Sequence, residues 1–196
     1  AGRPGFVFGV ELCEDFWAPL PPSTRLALSG ARILLNLSAS NVVIGKAEDR
    51  ALLCASQSAR AQAAYVFAAS GWGESTTDLA WDGQAMIHEL GARLAEGPRF
   101  AMDSHLTVAD IDVGRIGLER LRTGTFADCA REEARRAGED DRIGRVLIVE
   151  EDAPRGAGEG PLIRPLDRFP FTPDDPARLD QDCYEAFNIQ VQGLMR

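Results

Sequence analysis

Residues 6–23 of the chain read FVFGVELCEDFWAPLPPS, an apolar run that leads to a cysteine, two acids and a cluster of prolines. Its apolar run predicts a buried β-strand over Phe6–Leu12, because the run is short and is entered from a proline and a glycine. The strand is followed by Cys13 and then by two acids, Glu14 and Asp15. We therefore expect a thiol at the end of a buried strand, beside an irregular turn.

Two further apolar runs, at residues 31–40 and 64–70, also predict buried strands. A short helix is expected between the first two strands with Ser23 as its N-cap, and a longer helix over 47–63 has acids first and arginines later. The expected apolar positions of the longer helix are Leu52, Leu53 and Ala59. This β-α-β-α-β order, with strands apolar on both faces, predicts an α/β fold in which helices cover the sheet.

The hydrophobic period changes after residue 77. Segments Ala85–His88 and Ala92–Ala95 predict a β-hairpin, preceded by a turn at Asp82 and Gly83. Residues 105–112 alternate as a half-buried strand does. Three further patterns are a short helix or turn over 113–126 with Leu118 and Leu121 one turn apart, a charged, solvated helix over 127–141, and a possible strand over 145–151.

The end of the chain has a different composition. Residues 153–176 are rich in glycine and proline, which is typical of a linker, and residues 177–196 predict an amphipathic helix. We expect residues 1–150 to belong to one domain and residues 151–196 to form a linker and a helix. Since the chain starts without methionine almost directly in a strand, and ends inside a helical pattern, we expect a piece of a longer polypeptide.

Composition excludes several classes of protein. The net charge is −9, which argues against a nucleic-acid partner, because phosphate binding needs a face rich in lysine and arginine. No apolar run approaches the roughly 20 residues of a membrane span, and the first residues lack the pattern of a secretory signal. The four cysteines are scattered without a C-x-x-C pair, which favours reduced thiols and a cytoplasmic location.

Cys13 has two readings from its position alone. A thiol at the carboxyl end of a buried strand lies where open α/β sheets usually place ligand sites, and the backbone N–H of Glu14 could then donate to an oxyanion. A small buried hydrophobe is the commoner fate of a lone cysteine. Position alone leaves both open.

Other chemistry-bearing groups carry weaker signals. The remaining cysteines, Cys54, Cys129 and Cys183, lie within predicted helices and are most simply structural, as are His88 and His105, which lie in predicted strands. The glycines near residue 72 do not complete a phosphate-binding loop, and no ligand cluster with metal spacing is present.

Four ordered motifs together carry a family resemblance. They are GVELCEDFWAPLPPS, NLSASNVVIGKAEDR, GWGESTTDLAWDGQAMIHELG and ADIDVGRIGLERLRTGTF. The chain resembles the carbon-nitrogen hydrolase (nitrilase) superfamily, and within it the glutaminase domains of glutamine-dependent NAD synthetases. The resemblance covers about residues 5–130 and extends to YEAFNIQVQGL near the end.

That resemblance implies a fold and a set of site residues. The fold would be part of a nitrilase-like α-β-β-α sandwich, with residues 1–150 as the C-terminal half of the glutaminase domain. Cys13 would be the nucleophile that attacks the amide of glutamine, and the backbone N–H of Glu14 would contribute to the oxyanion hole. Glutamine would be bound by Glu14, Trp17, Ser40 and Lys46, the last in place of a more usual arginine.

The resemblance also implies what these residues lack. The family's triad glutamate and lysine precede the cysteine, so the isolated chain is expected to be essentially inactive and to expose apolar sheet surface where partner strands are missing. Residues 151–196 would lead to a synthetase domain, which alone would use ATP and magnesium. We expect no cofactor in this chain, and a homo-oligomer. Two alternatives stay open: a fragment of a stand-alone nitrilase-superfamily amidase, or a non-catalytic assembly module.

Overall fold

The structure, a computed structural model, describes residues 6–74, 78–137, 161–166 and 175–195. The chain divides into two compact units at residue 163. The strands of the first unit are β1 (Phe8–Leu12), β2 (Ile33–Ser38), β3 (Ala64–Ala69), β4 (Ala85–Glu89) and β5 (Ala92–Glu96). Its helices are a short 3-10 helix (Cys13–Trp17), α1 (Pro22–Leu28), α2 (Lys46–Arg60), α3 (Val113–Arg122) and α4 (Gly124–Arg136). The second unit contains α5 (Leu179–Leu194).

The five strands form one mixed sheet in the order β1-β2-β3-β4-β5. Strands β1, β2 and β3 are parallel, whereas β4 and β5 are antiparallel to their neighbours. Parallel strands need crossover connections, and α1 and α2 supply them. The α/β class and the β-α-β-α-β order expected from the sequence are therefore confirmed, as is the hairpin of β4 and β5.

One face of the sheet packs against α1 and α2. Its buried core includes Leu34, Tyr65 and Phe67 from the strands and Ala27 and Cys54 from the helices. Close packing of α1 depends on Gly9 in β1, because a Cβ atom there would lie 2.9 Å from the Cβ of Leu26.

The opposite face is only partly covered in the described residues. Ile116 of α3 packs there on Ile33 and Ala64. Four large apolar side chains of this face, on β1 and near the end of β2, are 43–58% exposed: Phe8, Val10, Leu12 and Leu37. This exposed row agrees with the expectation that apolar sheet surface is left open.

The expected N-cap of α1 is wrong. Helix α1 begins at Pro22 with Pro21 as its N-cap, since proline is preorganised for the first helical position. Ser23 is not the cap, and its backbone N–H is instead bonded to a buried carboxylate.

The buried face of α2 also differs from the expected one. Of the expected apolar positions, Leu53 is half-buried and packs on the core, but Leu52 is 68% exposed and Ala59 is exposed. The fully inward positions include Arg50, Cys54 and Gln57. The apolar periodicity misplaced the face because polar side chains with buried partners occupy it. In α3, which confirms the short helix expected there, Leu118 and Leu121 are exposed and Ile116 is the buried residue.

Residues 105–112 do not form the predicted strand. This segment is irregular, and its last residue serves the neighbouring helix: the Asp112 side chain accepts a hydrogen bond from the N–H of Arg115 at 2.8 Å and caps α3. The Asp112 N–H donates to Glu89 of β4 at 2.7 Å. Local side-chain bonds of this kind compete with strand pairing. The possible strand over 145–151 and most of the linker over 153–176 lie outside the described residues.

Arg120 of α3 ties the helices together. Its guanidinium donates to the carbonyls of Ala31 at 2.7 Å and Gln62 at 2.9 Å, with longer bonds to Ala27 and Ala61. These carbonyls lie at the carboxyl ends of α1 and α2 or just beyond them, where helices leave acceptors unsatisfied and favour positive charge. Burial, helped by the charge of Arg32, lowers the pKa of Arg120 to about 10.

We predict that Arg120→Ala lowers the free energy of unfolding by about 2–4 kcal/mol, because several part-buried carbonyls lose a charged donor together. Urea denaturation measures this change. Arg122→Ala is the matched control: its side chain is 73% exposed on the same helix, so its effect should stay within about 0.5 kcal/mol. Equal losses in the two variants would contradict this role for Arg120.

Candidate functional site

Cys13 occupies a constrained turn at the carboxyl end of β1. Its φ of 45° lies in the left-handed region, which costs a residue other than glycine about 1–3 kcal/mol and persists only where surroundings enforce it. The turn is fixed from both sides, since the Leu12 N–H donates to Asp15 Oδ2 at 3.0 Å and the Ala18 N–H donates to the Asp15 carbonyl at 3.2 Å. The thiol is half-buried at this bend.

Beneath the turn lies a buried carboxylate, Glu11 of β1. Its exposure is 2%, and both of its oxygens accept hydrogen bonds: Oε2 from the Ser23 N–H at 2.7 Å, and Oε1 from the Tyr65 hydroxyl. Burial, followed by the charge of Glu11, raises the pKa of Tyr65. Glu11 thus joins β1, α1 and β3 two residues before the thiol.

The 3-10 helix carries two neighbouring aromatic rings, one in the core and one at the surface near Lys46. Phe16 is buried, with its ring centroid 5.3 Å from that of Phe67 and 5.7 Å from that of Tyr65. Trp17 lies beside it, edge to face, at 5.5 Å and stays half-buried. Core packing of Phe16 therefore sets the position of Trp17.

Lys46 and Trp17 are brought together, although they lie 29 positions apart in the sequence. The Lys46 Nζ lies 5.5 Å from the centroid of the Trp17 ring, within cation–π range. The same Nζ donates to Asn41 Oδ1 at 3.3 Å. Gly45, with φ of 87°, precedes Lys46 and starts α2 there.

Ser40 lies in the irregular segment that follows β2. It is 7% exposed, and its carbonyl accepts a hydrogen bond from Arg50 Nη2 at 2.8 Å. Neighbouring Asn41 connects this segment to Lys46. Glu14 is exposed, and its side chain is not part of these contacts. The structure therefore brings Trp17, Ser40 and Lys46 into one connected set next to the Cys13 turn.

Arg50 is the residue of this region that sequence reasoning missed. Its side chain is completely buried and paired with Asp82, whose side chain is also completely buried. In the sequence, Arg50 lies on the same helical face as Cys54 and Gln57. A search for apolar periodicity does not detect a buried face that contains an arginine.

The other cysteines divide by exposure. Cys54 is fully buried, as expected of a structural cysteine, and burial raises the pKa of its thiol. Cys129 and Cys183 are exposed on α4 and α5, so a role as buried hydrophobes does not apply to them. His88 is buried in β4, where burial and then the charge of Arg93 lower its pKa. His105 lies in an irregular, exposed stretch.

The carbon-nitrogen hydrolase family model matches residues 2–120, which include the sheet, the Cys13 turn and all of α2. The chain belongs to the carbon-nitrogen hydrolase family. The fold of the chain is similar to that of a carbon-nitrogen hydrolase from Helicobacter pylori G27, with a TM-score of 0.53 and 19% identity over 72% of this chain and 55% of that one. This likeness supports the nitrilase-type fold.

Two curated relatives of this carbon-nitrogen hydrolase chain carry the same name. It is 56% identical over 97% of its length to the glutamine-dependent NAD(+) synthetase of Mycobacterium tuberculosis (strain H37Rv), and 53% identical over 97% to that of Mycobacterium leprae. The chain spans 27% of the length of each relative.

None of the helices within the described ranges is long and apolar enough to cross a membrane. Within the same ranges, no group of three or more histidine, cysteine, aspartate or glutamate side chains is arranged to hold a metal ion.

We predict that Cys54 makes folding sensitive to alkali. Because the folded state raises the pKa of this thiol, its stabilising contribution is fully present below the unfolded value of about 8.5 and is lost as the pH rises above it. Between about pH 8.5 and 9.5 the free energy of unfolding should fall by up to about 1.4 kcal/mol from this group.

Urea denaturation across that interval measures the slope. Cys54→Ala should remove this part of it, whereas Cys129→Ala, which changes an exposed thiol, should keep it. An unchanged slope in the Cys54 variant would show that the thiol does not titrate on unfolding.

Proposed function

We propose that the chain supplies the nucleophile and part of the substrate pocket of a glutaminase that releases ammonia for NAD synthesis. The observation that carries this proposal is the bend at Cys13, which presents a half-buried thiol at the carboxyl end of β1 beside Trp17 and Lys46. The names of the mycobacterial relatives supply the substrate and the product.

The proposed reaction proceeds through a thioester. The Cys13 sulfur bonds to the amide carbon of glutamine, a general base passes the thiol proton to the amide nitrogen, and the carbon–nitrogen bond breaks to release ammonia. Water then cleaves the thioester, which yields glutamate and restores the thiol. The backbone N–H of Glu14, directly after the nucleophile, stabilises the oxyanion in both steps.

The pocket residues act on the ends of glutamine. Lys46 is the only lysine in the chain, and its ammonium binds a carboxylate as a point charge rather than through a fork. Trp17 and Ser40 form the wall, and Glu14 accepts from the amino group of the substrate.

The general base and the triad lysine are assigned to parts of the polypeptide before Cys13. Glu11 does not serve as the base, since both of its oxygens already accept hydrogen bonds in the core. Loss of general-base catalysis commonly costs about 10²–10⁴-fold in rate, so we propose that these 196 residues alone have almost no activity.

The proposal also covers the domain organisation, location and assembly of the protein. Residues 1–150 form the C-terminal half of the glutaminase domain, and residues 151–196 lead to a synthetase domain that converts deamido-NAD with ATP and magnesium. Helix α5 supports a role in such a junction, since it exposes Tyr184, Phe187 and Ile189. The protein is proposed to act in the cytoplasm, consistent with four free cysteines, and as a homo-oligomer.

We predict that a glutamine-shaped electrophile, such as a diazoketone analogue of glutamine, labels Cys13 in the full-length protein. Peptide mapping locates the adduct, and excess glutamine should prevent it while asparagine should not. Cys13→Ser is the control that should remain unlabelled. Adducts on Cys129 or Cys183 that glutamine does not prevent would contradict the assignment.

We also predict that Cys13→Ala abolishes NAD formation from glutamine but leaves NAD formation from added ammonia intact, because free ammonia bypasses the thiol. Product formation with each nitrogen source measures this. A variant that still uses glutamine would refute a catalytic role for Cys13, and so would favour a non-catalytic module. A full-length protein that hydrolyses other amides and forms no NAD would favour the stand-alone amidase.

A further inference from the structure

We propose that the buried Arg50–Asp82 pair positions the wall of the glutamine pocket and thereby sets the affinity of the site for glutamine. Arg50 and Asp82 are positioning residues, since their contacts lead to the pocket through other residues. This inference rests on the proposed function. It goes beyond that function because it assigns a role to two residues that are not proposed to contact the substrate.

Arg50 divides its guanidinium between two tasks. Its Nη1 donates to both oxygens of Asp82, each at 3.0 Å, and to Gln84 Oε1 at 3.2 Å. Its Nη2 donates to the carbonyls of Ser40 at 2.8 Å and Asn41 at 3.1 Å. The pair therefore fixes the backbone of two consecutive residues in the segment after β2, which lacks regular structure of its own.

From that backbone the contacts run to the pocket. Asn41 Oδ1 accepts from Lys46 Nζ at 3.3 Å, and Lys46 lies against the ring of Trp17. A second route passes through the core, because the Arg50 guanidinium lies 5.8 Å from the centroid of the Phe67 ring. Phe67 in turn packs on Phe16, which precedes Trp17. Both routes end at the proposed cation and wall of the glutamine pocket.

Asp82 is held as firmly as its partner. Arg99 Nε donates to its Oδ2 at 3.0 Å, and in the turn that carries Asp82 the Gly83 N–H donates to the carbonyl of Ser70, directly after β3, at 2.9 Å. Gly83 has φ of 63°, and a Cβ atom there would lie 3.4 Å from the Cα of Gly71. The pair thus has a rigid base at the carboxyl end of β3.

Burial of this pair requires a reason beyond stability. Removing an arginine and an aspartate from water costs several kcal/mol each, and apolar residues of similar size often stabilise a fold as well or better. An apolar pair, however, could not hold the carbonyls of Ser40 and Asn41. A role in fixing the pocket segment explains why two charges occupy completely buried positions.

The test replaces the pair in the full-length protein as Arg50→Met with Asp82→Leu. Replacing both residues avoids the unpaired buried charge that a single substitution would leave. We expect the KM for glutamine to rise about tenfold or more, since small displacements of positioning groups have effects of that size. The kcat at saturating glutamine, the rate at which iodoacetamide modifies Cys13, and NAD formation from ammonia should each change less than about twofold.

The matched control replaces an exposed pair in the same way, as Arg93→Met with Glu96→Leu. This pair lies on β5, with side chains 54% and 31% exposed, and the KM for glutamine should stay within about twofold. A folded Arg50–Asp82 double variant with the KM of the unchanged protein would overturn the inference. So would an equal rise in KM in the control.

A second variant decides the matter if the double variant does not fold. Asn41→Ser shortens the side chain that links the fixed backbone to Lys46, and Asn41 is only half-buried. We expect a rise in KM with an unchanged rate of iodoacetamide modification at Cys13, and an unchanged KM would overturn the inference.

The two proposals fail in distinguishable ways. Should the unchanged protein not react with the glutamine-shaped electrophile at Cys13, the proposed function fails. Should it react there while the Arg50 and Asn41 variants bind glutamine normally, only the inference fails.

Discussion

The first unit depends on the hydrogen bonds that the buried carboxylate of Glu11 accepts. This carboxylate lies in the core with its two oxygens bonded to different elements, the first turn of α1 through Ser23 and strand β3 through Tyr65. An unbonded carboxylate at this depth would be costly, so the three elements are held in one arrangement by the need to satisfy it. That arrangement fixes the end of β1 and, with it, the bend at Cys13.

Polar groups of this kind are distributed along the inner face of the sheet. Glu11 accepts hydrogen bonds beneath the Cys13 turn. The Arg50–Asp82 pair lies beneath the segment that follows β2. Phe16 and Phe67 fill the space between these two networks. The aromatic core gives packing energy, whereas the polar networks give direction, because hydrogen bonds require defined geometry and apolar contacts do not.

The sequence predicted the features that depend on local patterns. Three apolar runs gave the parallel strands, and the position of Cys13 followed from the end of the first run. Prediction from the sequence failed where a polar residue has a partner far away in the chain. Arg50 lies on a buried helix face because Asp82, 32 positions away, neutralises it, and no local periodicity reveals such a pair. Likewise, Asp112 serves as a helix cap, so the alternating segment before it is not a strand.

Of the candidate site, the sequence identified residues but not their arrangement. Trp17, Ser40 and Lys46 came from a family resemblance, and only the structure joins Lys46 to Trp17 and Asn41. The contact arises because α2 begins at Lys46 after a left-handed glycine, which places the first side chain of the helix over the 3-10 helix. Contacts between separate loops depend on the whole fold, and they cannot be derived from either loop alone.

The left-handed backbone at residue 13 restricts which nucleophiles the fold could use. Threonine shares with cysteine and serine the ability to form covalent intermediates, but its branched Cβ fits poorly in this region of φ. Serine would fit the conformation, and glycine would relieve it without offering a reactive atom. The bend therefore limits which nucleophiles can occupy this position. Cysteine and serine can replace each other here, whereas threonine would first require a different turn.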